Sequence, residues 1–230
     1  MYGKNPVAPI INTDDGLALH LVENSPFATV QGEGPYAGRR ATFVRLHGCN
    51  LRCTFCDTQF SDPSDPVVEL WDLVHSIDEM PAELVVITGG EPMRQNILPL
   101  CKELNSRALT VQIETAGTLW IEGIQHYAEI VVSPKTAVIH PQIKQHARAF
   151  KYVIDHQQEF DGCIPITATQ PNARPVCLAK PREGADIYLS PMDMNDPERN
   201  ALNRQLVGRL AMRHENTIAG LQLHKFMDLD

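Results

Sequence analysis

The apolar run LVVI at 84–87 continues into Thr88 and then stops at Gly89-Gly90. A strand without polar alternation has no face to offer water, so it belongs inside a parallel sheet covered on both sides. Similar segments recur along the chain. ATFVRLHG (41–48) is rich in β-branched and aromatic residues and ends in glycine. LTVQIET (109–115), EIVVS (129–133), FKYVID (150–155) and IYLS (187–190) follow, and TIAGLQLH (217–224) ends the series. Helical spacing lies between them, at 97–104, at 197–214 behind Pro197, and at 67–78, where Val68, Leu70, Trp71, Val74 and Ile77 share a face. Strands alternating with helices predict right-handed βαβ units and a mostly parallel sheet. The helices are short, and 230 residues are few for a complete barrel of about 250. The expected fold is therefore α/β, an incomplete TIM-like barrel forming a single domain over 1–230. Residues 1–26, with Pro6, Pro9, Asp14, Asp15 and Gly16, read as an N-terminal arm or edge element. Residues 156–186, with Pro165, Pro171, Pro175 and Pro181, read as an insertion loop.

Charge and hydropathy exclude some classes of function. Twenty Lys+Arg against 28 Asp+Glu leave a net charge of −8, which argues against a basic face for gripping nucleic acid. No apolar run exceeds four residues, too few to span a bilayer. The N-terminus MYGKNPVAPIINTDDG has no apolar signal core, which implies a cytoplasmic location. Cysteines there are reduced, so the six present are not read as a disulfide frame.

Three of the six fall in one loop, GCNLRCTFCDT (48–58), as C-x3-C-x2-C. Zinc sites normally close with four ligands in two separated pairs. Three thiolates suit a [4Fe–4S] cluster whose fourth iron stays open to another ligand. A zinc knuckle completed from a distance by His75 or Cys101, or three unligated thiols, remain alternatives on spacing alone. Cys101, on an expected helix, reads as a small core residue. Spacing identifies no partner for Cys163 or Cys177. Met192 and Met194 read as packing.

The cysteine spacing resembles the defining motif of the radical S-adenosylmethionine superfamily, and Thr88-Gly89-Gly90-Glu91-Pro92 resembles its second mark. In that superfamily the open iron binds S-adenosylmethionine, whose reductive cleavage yields a 5′-deoxyadenosyl radical. Two glycines in such a turn let backbone approach a ligand closely, and Glu91 adds a carboxylate for an ammonium group. The stretch 27–58, with Gln31-Gly32-Glu33-Gly34, Arg45 and Asp57-Thr58, narrows the resemblance to the 7-carboxy-7-deazaguanine synthase family. VVITGGEP (85–92), QIETAGT (112–118), VVSPK (131–135) and LQLHKFM (221–227) resemble it too, whereas 136–185 carries little of it.

The resemblance implies a radical core, a homodimer, a flavodoxin-type reductant, and conversion of 6-carboxy-5,6,7,8-tetrahydropterin to 7-carboxy-7-deazaguanine with loss of ammonia. Carried over residue by residue, it gives Cys49, Cys53 and Cys56 to the cluster and Thr58 to Mg²⁺. Phe55, Asp57, Gly90, Glu91, Ser133, Pro134 and Lys135 fall to S-adenosylmethionine, and Val30, Gln31, Gly32, Glu33, Arg45 and Thr88 to the pterin. Arg45 can fork a carboxylate, or it can be a structural ion-pair partner. Mg²⁺ favours hard oxygen donors, although Thr58 can equally cap its loop. Glu33 can accept from the pterin's amino-pyrimidine edge, or sit on the surface. A late turn near the adenosine has two candidates. Strand context favours Ser190, Pro191 and Met192, after IYLS, and makes Gln170-Pro171-Asn172 a bystander. His224 and Lys225 either place a polar terminus over the substrate or belong to a packed last strand. The rival enzyme class is an activating enzyme for glycyl-radical proteins, which would lack the 31–34 turn, Arg45 and Asp57-Thr58. The rival outside catalysis is a zinc structural module.

Overall fold

The computed structural model describes residues 14–227 and 229. Its strands are β1 (Ala18–His20), β2 (Phe27–Val30), β3 (Arg40–Leu46), β4 (Val67–Glu69), β5 (Leu84–Gly89), β6 (Thr110–Thr115) and β7 (Glu129–Val132). Then come β8 (Ala149–Ile154), β9 (Glu159–Asp161), β10 (Ile164–Thr167), β11 (Val176–Cys177), β12 (Asp186–Pro191) and β13 (Thr217–Ala219). The α-helices are α1 (Leu70–Asp78), α2 (Leu98–Ser106), α3 (Pro141–His146), α4 (Pro197–Arg213) and α5 (Leu223–Phe226).

The main sheet has eight strands in the order β13-β12-β8-β7-β6-β5-β3-β2. All are parallel except β2, which pairs antiparallel with β3. The end strands β13 and β2 do not pair with each other, so this is the expected incomplete barrel. Strand alternation sorts the side chains. Val44, Leu46, Val85, Ile87, Val111, Ile113, Ile130, Val132, Phe150, Tyr152 and Leu189 enter one large core. Leu73, Val74 and Ile77 of α1 and Leu100 and Leu104 of α2 join that core. Each fully buried Leu or Ile is worth about 1.5–3 kcal/mol relative to exposure. The intervening positions face the other way and carry the polar chemistry, as in Thr88, Glu114, Lys151 and Ser190.

Of residues 1–26, expected as an arm or edge element, the described part forms β1, which pairs antiparallel with β4 in a two-stranded sheet, with Leu19 and Leu21 fully buried. Three expectations need correction. Trp71 is 61% exposed, because the buried face of α1 is Leu70, Leu73, Val74 and Ile77, an i, i+3, i+4, i+7 stripe that puts position 71 opposite. The segment 156–186 is not a plain loop. It folds β9, β10 and β11 into a three-stranded antiparallel sheet, tied down by Tyr152 Oη donating to Ala179 O at 2.6 Å. The last strand ends at Ala219, well before 224. Beyond it the chain crosses to the far end of the sheet, where Leu223 N donates to Gly32 O at 3.2 Å just past β2. The short α5 thus covers the seam the sheet leaves open.

Candidate active site

The carboxyl ends of the parallel strands surround one cavity of about 280 Å³, at the position where α/β folds place their sites. β3 leads into the cysteine loop, and Cys49, Cys53 and Cys56 all line that cavity, with Phe55, Asp57 and Thr58 between and after them. Burial pushes the Cys49 thiol up to about 12 and raises Cys56 as well, with Lys135 pulling Cys56 back. Three soft thiol donors in one loop, beside a lysine ammonium, fit an iron–sulfur cluster. Among the described residues no three Cys, His, Asp or Glu side chains already converge to metal-ligating distance. The distal zinc ligands are ruled out by position. His75 is exposed on α1 beside Glu79, and Cys101 is sealed in the core under α2.

Gly89, the last residue of β5, and Gly90 after it are packed tightly against neighbouring backbone. A Cβ on Gly89, at φ +123°, would lie 2.2 Å from Leu46 O, and one on Gly90 would lie 1.9 Å from Gly48 O. Gly90 N and Glu91 N donate to Leu46 O and Gly48 O, both at 2.9 Å, clamping this turn to the backbone before the first cysteine. Glu91 does not present its carboxylate to the cavity. It is fully buried and accepts from Thr115 Oγ1 at 2.7 Å, Ala116 N at 2.9 Å and Met93 N at 3.2 Å. Burial raises its carboxyl despite those bonds. Ser133 and Lys135 line the cavity, with Lys135 Nζ donating to Ser133 O at 2.8 Å, whereas Pro134 is buried behind them. Burial lowers the Lys135 ammonium, and the neighbouring Cys53 opposes that shift. Ser190, Pro191 and Met192 line the wall at the end of β12.

The floor of the cavity carries charge that the sequence reading missed. Lys151 Nζ donates to Glu33 Oε2 at 2.7 Å and to Glu114 Oε2 at 2.8 Å. Burial pushes the Glu33 carboxyl up, but the Lys151 charge and hydrogen bond bring it below its ordinary value. Burial likewise opposes charge on Lys151, yet Glu114 and Glu33 hold its ammonium well above the usual range. Two carboxylates sharing one cation leave a net negative floor. Gln31 lies beneath it, 2% exposed, its Nε2 donating to Glu114 Oε1 at 2.9 Å and its Oε1 accepting from Glu33 N at 3.1 Å. Lys151 had a detectable signal, a charged residue in an otherwise apolar strand, whereas Glu114 shares its strand with Thr110, Gln112 and Thr115.

The remaining expected ligands sit at the margin. Thr88 lines the cavity beside its register partner Arg45 on β3. Arg45 itself lies over the Phe27 ring at 4.8 Å, its guanidinium lowered by burial and drawn back by Asp57. Val30 ends β2 and is half-buried. Gly32 is where α5 lands, since a Cβ there would come within 2.1 Å of His224 Nδ1. His224 therefore does reach the cavity. Burial lowers its imidazole, Glu33 opposing. Lys225 ties the helix to Asp193 at 3.0 Å and to Asp57 at 3.5 Å. Gln170 is not a bystander either: its side chain touches Cys53 and the amide of Arg52.

Residues 43–143 match the Radical SAM superfamily. A protein of Rhodospirillum rubrum called 7-carboxy-7-deazaguanine synthase is 42% identical over 198 residues, covering 84% of this chain and 83% of its own. The chain belongs to the 7-carboxy-7-deazaguanine synthase family. A second 7-carboxy-7-deazaguanine synthase, from Rickettsia prowazekii, is 33% identical over all of this chain and 96% of its own. The crystal structure of QueE from Escherichia coli shares the fold, with a TM-score of 0.63 at 22% identity over 91% of this chain and 96% of that one. The radical fold and its iron–sulfur and S-adenosylmethionine cofactors come with the family. The zinc-module alternative does not.

Proposed function

We propose that this chain is a radical carbon–nitrogen lyase, converting 6-carboxy-5,6,7,8-tetrahydropterin to 7-carboxy-7-deazaguanine with loss of ammonia. The observation that carries this reading is the joining, in one cavity, of the three-cysteine loop and the negative floor made by Glu33, Lys151 and Glu114. Bound together, the [4Fe–4S] cluster on Cys49, Cys53 and Cys56 and S-adenosylmethionine supply radical initiation. Phe55, Gly90, Ser133 and Lys135, with Ser190, Pro191 and Met192 on the wall, would hold S-adenosylmethionine. Asp57 borders that site. Thr88, Glu33 and Glu114 would hold the pterin. The two carboxylates, both bonded to Lys151, offer acceptors to the amino and amide N–H groups of its pyrimidinone ring. His224, which lines the same cavity, adds two ring nitrogens for polar contact beside that floor. Arg45, the register partner of Thr88, would fork the substrate carboxylate.

Thr58 lines the cavity with its Oγ1 3.4 Å from Asp57 Oδ1, and such hard oxygens would hold Mg²⁺, which would supply a Lewis acid. A cytoplasmic location and a flavodoxin-type electron donor are carried over from the family resemblance. Among the described residues no helix is long and apolar enough to cross a membrane. Homodimer assembly is carried over from the family resemblance. The deciding experiment incubates the reconstituted, reduced chain with S-adenosylmethionine, Mg²⁺ and the tetrahydropterin. The expected product is 7-carboxy-7-deazaguanine; 5′-deoxyadenosine formed without it would overturn the substrate assignment.

A further inference from the structure

The antiparallel excursion between β8 and β12 carries one turn that the pterin and S-adenosylmethionine sites leave unexplained. Past β10, Thr169 and Gln170 lie against the cysteine loop. Gln170 Oε1 accepts from Arg52 N at 2.7 Å, and Gln170 Nε2 stands 3.4 Å from Cys53 Sγ as donor. Only the carbonyl oxygen of an amide can accept from a backbone N–H, so this bond sets the amide's orientation and turns its NH₂ to the sulfur. The turn is anchored on both sides. Thr54 N donates to Thr169 O at 2.9 Å, and the Thr169 hydroxyl, 4% exposed with its residue, donates to Lys135 O. Gln170 is thus fastened to the cysteine loop and to the loop after β7 at once.

An N–H aimed at a ligating sulfur stabilises negative charge there. The reduced form of a cluster is the more negative one, so such a bond favours reduction, and hydrogen bonds to sulfur are among the levers that set cluster potentials. We propose that Gln170 is a positioning residue for the iron–sulfur centre, its side-chain amide donating to the Cys53 thiolate and making the bound cluster easier to reduce. The redox step is one electron passed from an external donor, dithionite in the test, to the oxidised cluster. No bond forms or breaks at Gln170. The proposal rests on the assignment of the three cysteines to the cluster.

Two variants separate tuning from mere anchoring. Gln170→Glu keeps an acceptor for Arg52 N but replaces the donor by negative charge, and Gln170→Met removes both. The measurements are iron per chain and a potentiometric titration of the reconstituted cluster followed by its electron paramagnetic resonance signal. Both variants are expected to load iron like the wild type. At a fixed poise the reduced-to-oxidised ratio should fall three- to tenfold, about 30–60 mV at 59 mV per tenfold for one electron, with Gln170→Glu the larger. Full loading with an unmoved ratio would overturn the proposal. Loss of loading in both variants would overturn it too, by making Gln170 a strut. A wild-type chain that takes up no iron would instead sink the cluster assignment itself.

Discussion

Lys151 is the residue on which the floor of the site depends. It is 8% exposed in its side chain and answers two carboxylates at 2.7 and 2.8 Å. Removing the common partner of buried ions costs far more than the pair itself is worth, because the charges left behind are desolvated and repel. Lys151→Met should therefore destabilise the fold by about 3–5 kcal/mol, read from urea midpoints at neutral pH. The sign of the pH dependence follows from Glu33, whose carboxyl is held below its ordinary 4.5 in the fold. Its contribution is present above about 4.5 and is lost as pH falls through the depressed folded value. The stability gap between wild type and Glu33→Gln should be constant from neutrality to about pH 5 and close in stronger acid. A gap that persists in acid would contradict this. Thr58 gives a prediction of a different kind. Thr58→Ala removes one hard oxygen and nothing buried, so the chain should fold and load iron normally while its activity loses the stimulation by Mg²⁺. An unchanged Mg²⁺ titration would exclude the ligand role.

At the scale of elements, the end of β5 and the start of the cysteine loop form one unit. Gly90 touches Gly48 O so closely that an added Cβ would lie at 1.9 Å, and the obstacle is backbone, which cannot rotate away. Gly90→Ala should cost about 1–3 kcal/mol in strain and displace the loop before Cys49. Its iron content after reconstitution should drop while far-ultraviolet circular dichroism keeps the wild-type shape; undiminished iron would show the clamp to be dispensable. Local signals made these elements legible. LVVI announced a covered parallel strand, and the C-x3-C-x2-C spacing announced one small centre with an open position. FKYVID and LTVQIET announce strands, but the pairing of Lys151 with Glu114 across 37 positions is set by the sheet order and not by either segment. At Glu91 the sequence shows a carboxylate but not the Thr115 and Ala116 donors, 24 and 25 positions on, that bond it. Gln170 depends on a contact with Cys53 across 117 positions, which no local pattern encodes.

At the scale of the whole molecule, the incomplete sheet creates a problem that the end of the chain solves. A barrel that stops between β13 and β2 leaves its interior open along one seam, yet radical chemistry needs that interior shielded from water. The segment after Ala219 crosses the seam. Gly220 N holds Leu189 O at 2.8 Å, Leu223 N reaches Gly32 O at 3.2 Å, and Gln222 and His224 form part of the cavity wall. The Lys225 contacts to Asp193 and Asp57 look like the latch, but both involve partly exposed groups, and such pairs are worth only about 0–1 kcal/mol. The wall matters more than the latch. Lys225→Met should change KM for the pterin less than about threefold, since about 1.4 kcal/mol is needed for a factor of ten. Ending the chain after Gly220 removes Gln222 and His224 together and leaves the seam open. KM should then rise at least about tenfold, and more of the S-adenosylmethionine cleaved should appear as 5′-deoxyadenosine uncoupled from product. The truncated chain should keep its iron content, since the cysteine loop hangs from β3 and β5 and owes its clamp to neither end of the sheet. A truncated enzyme with wild-type KM and coupling would mean that the seam is closed by something other than this segment.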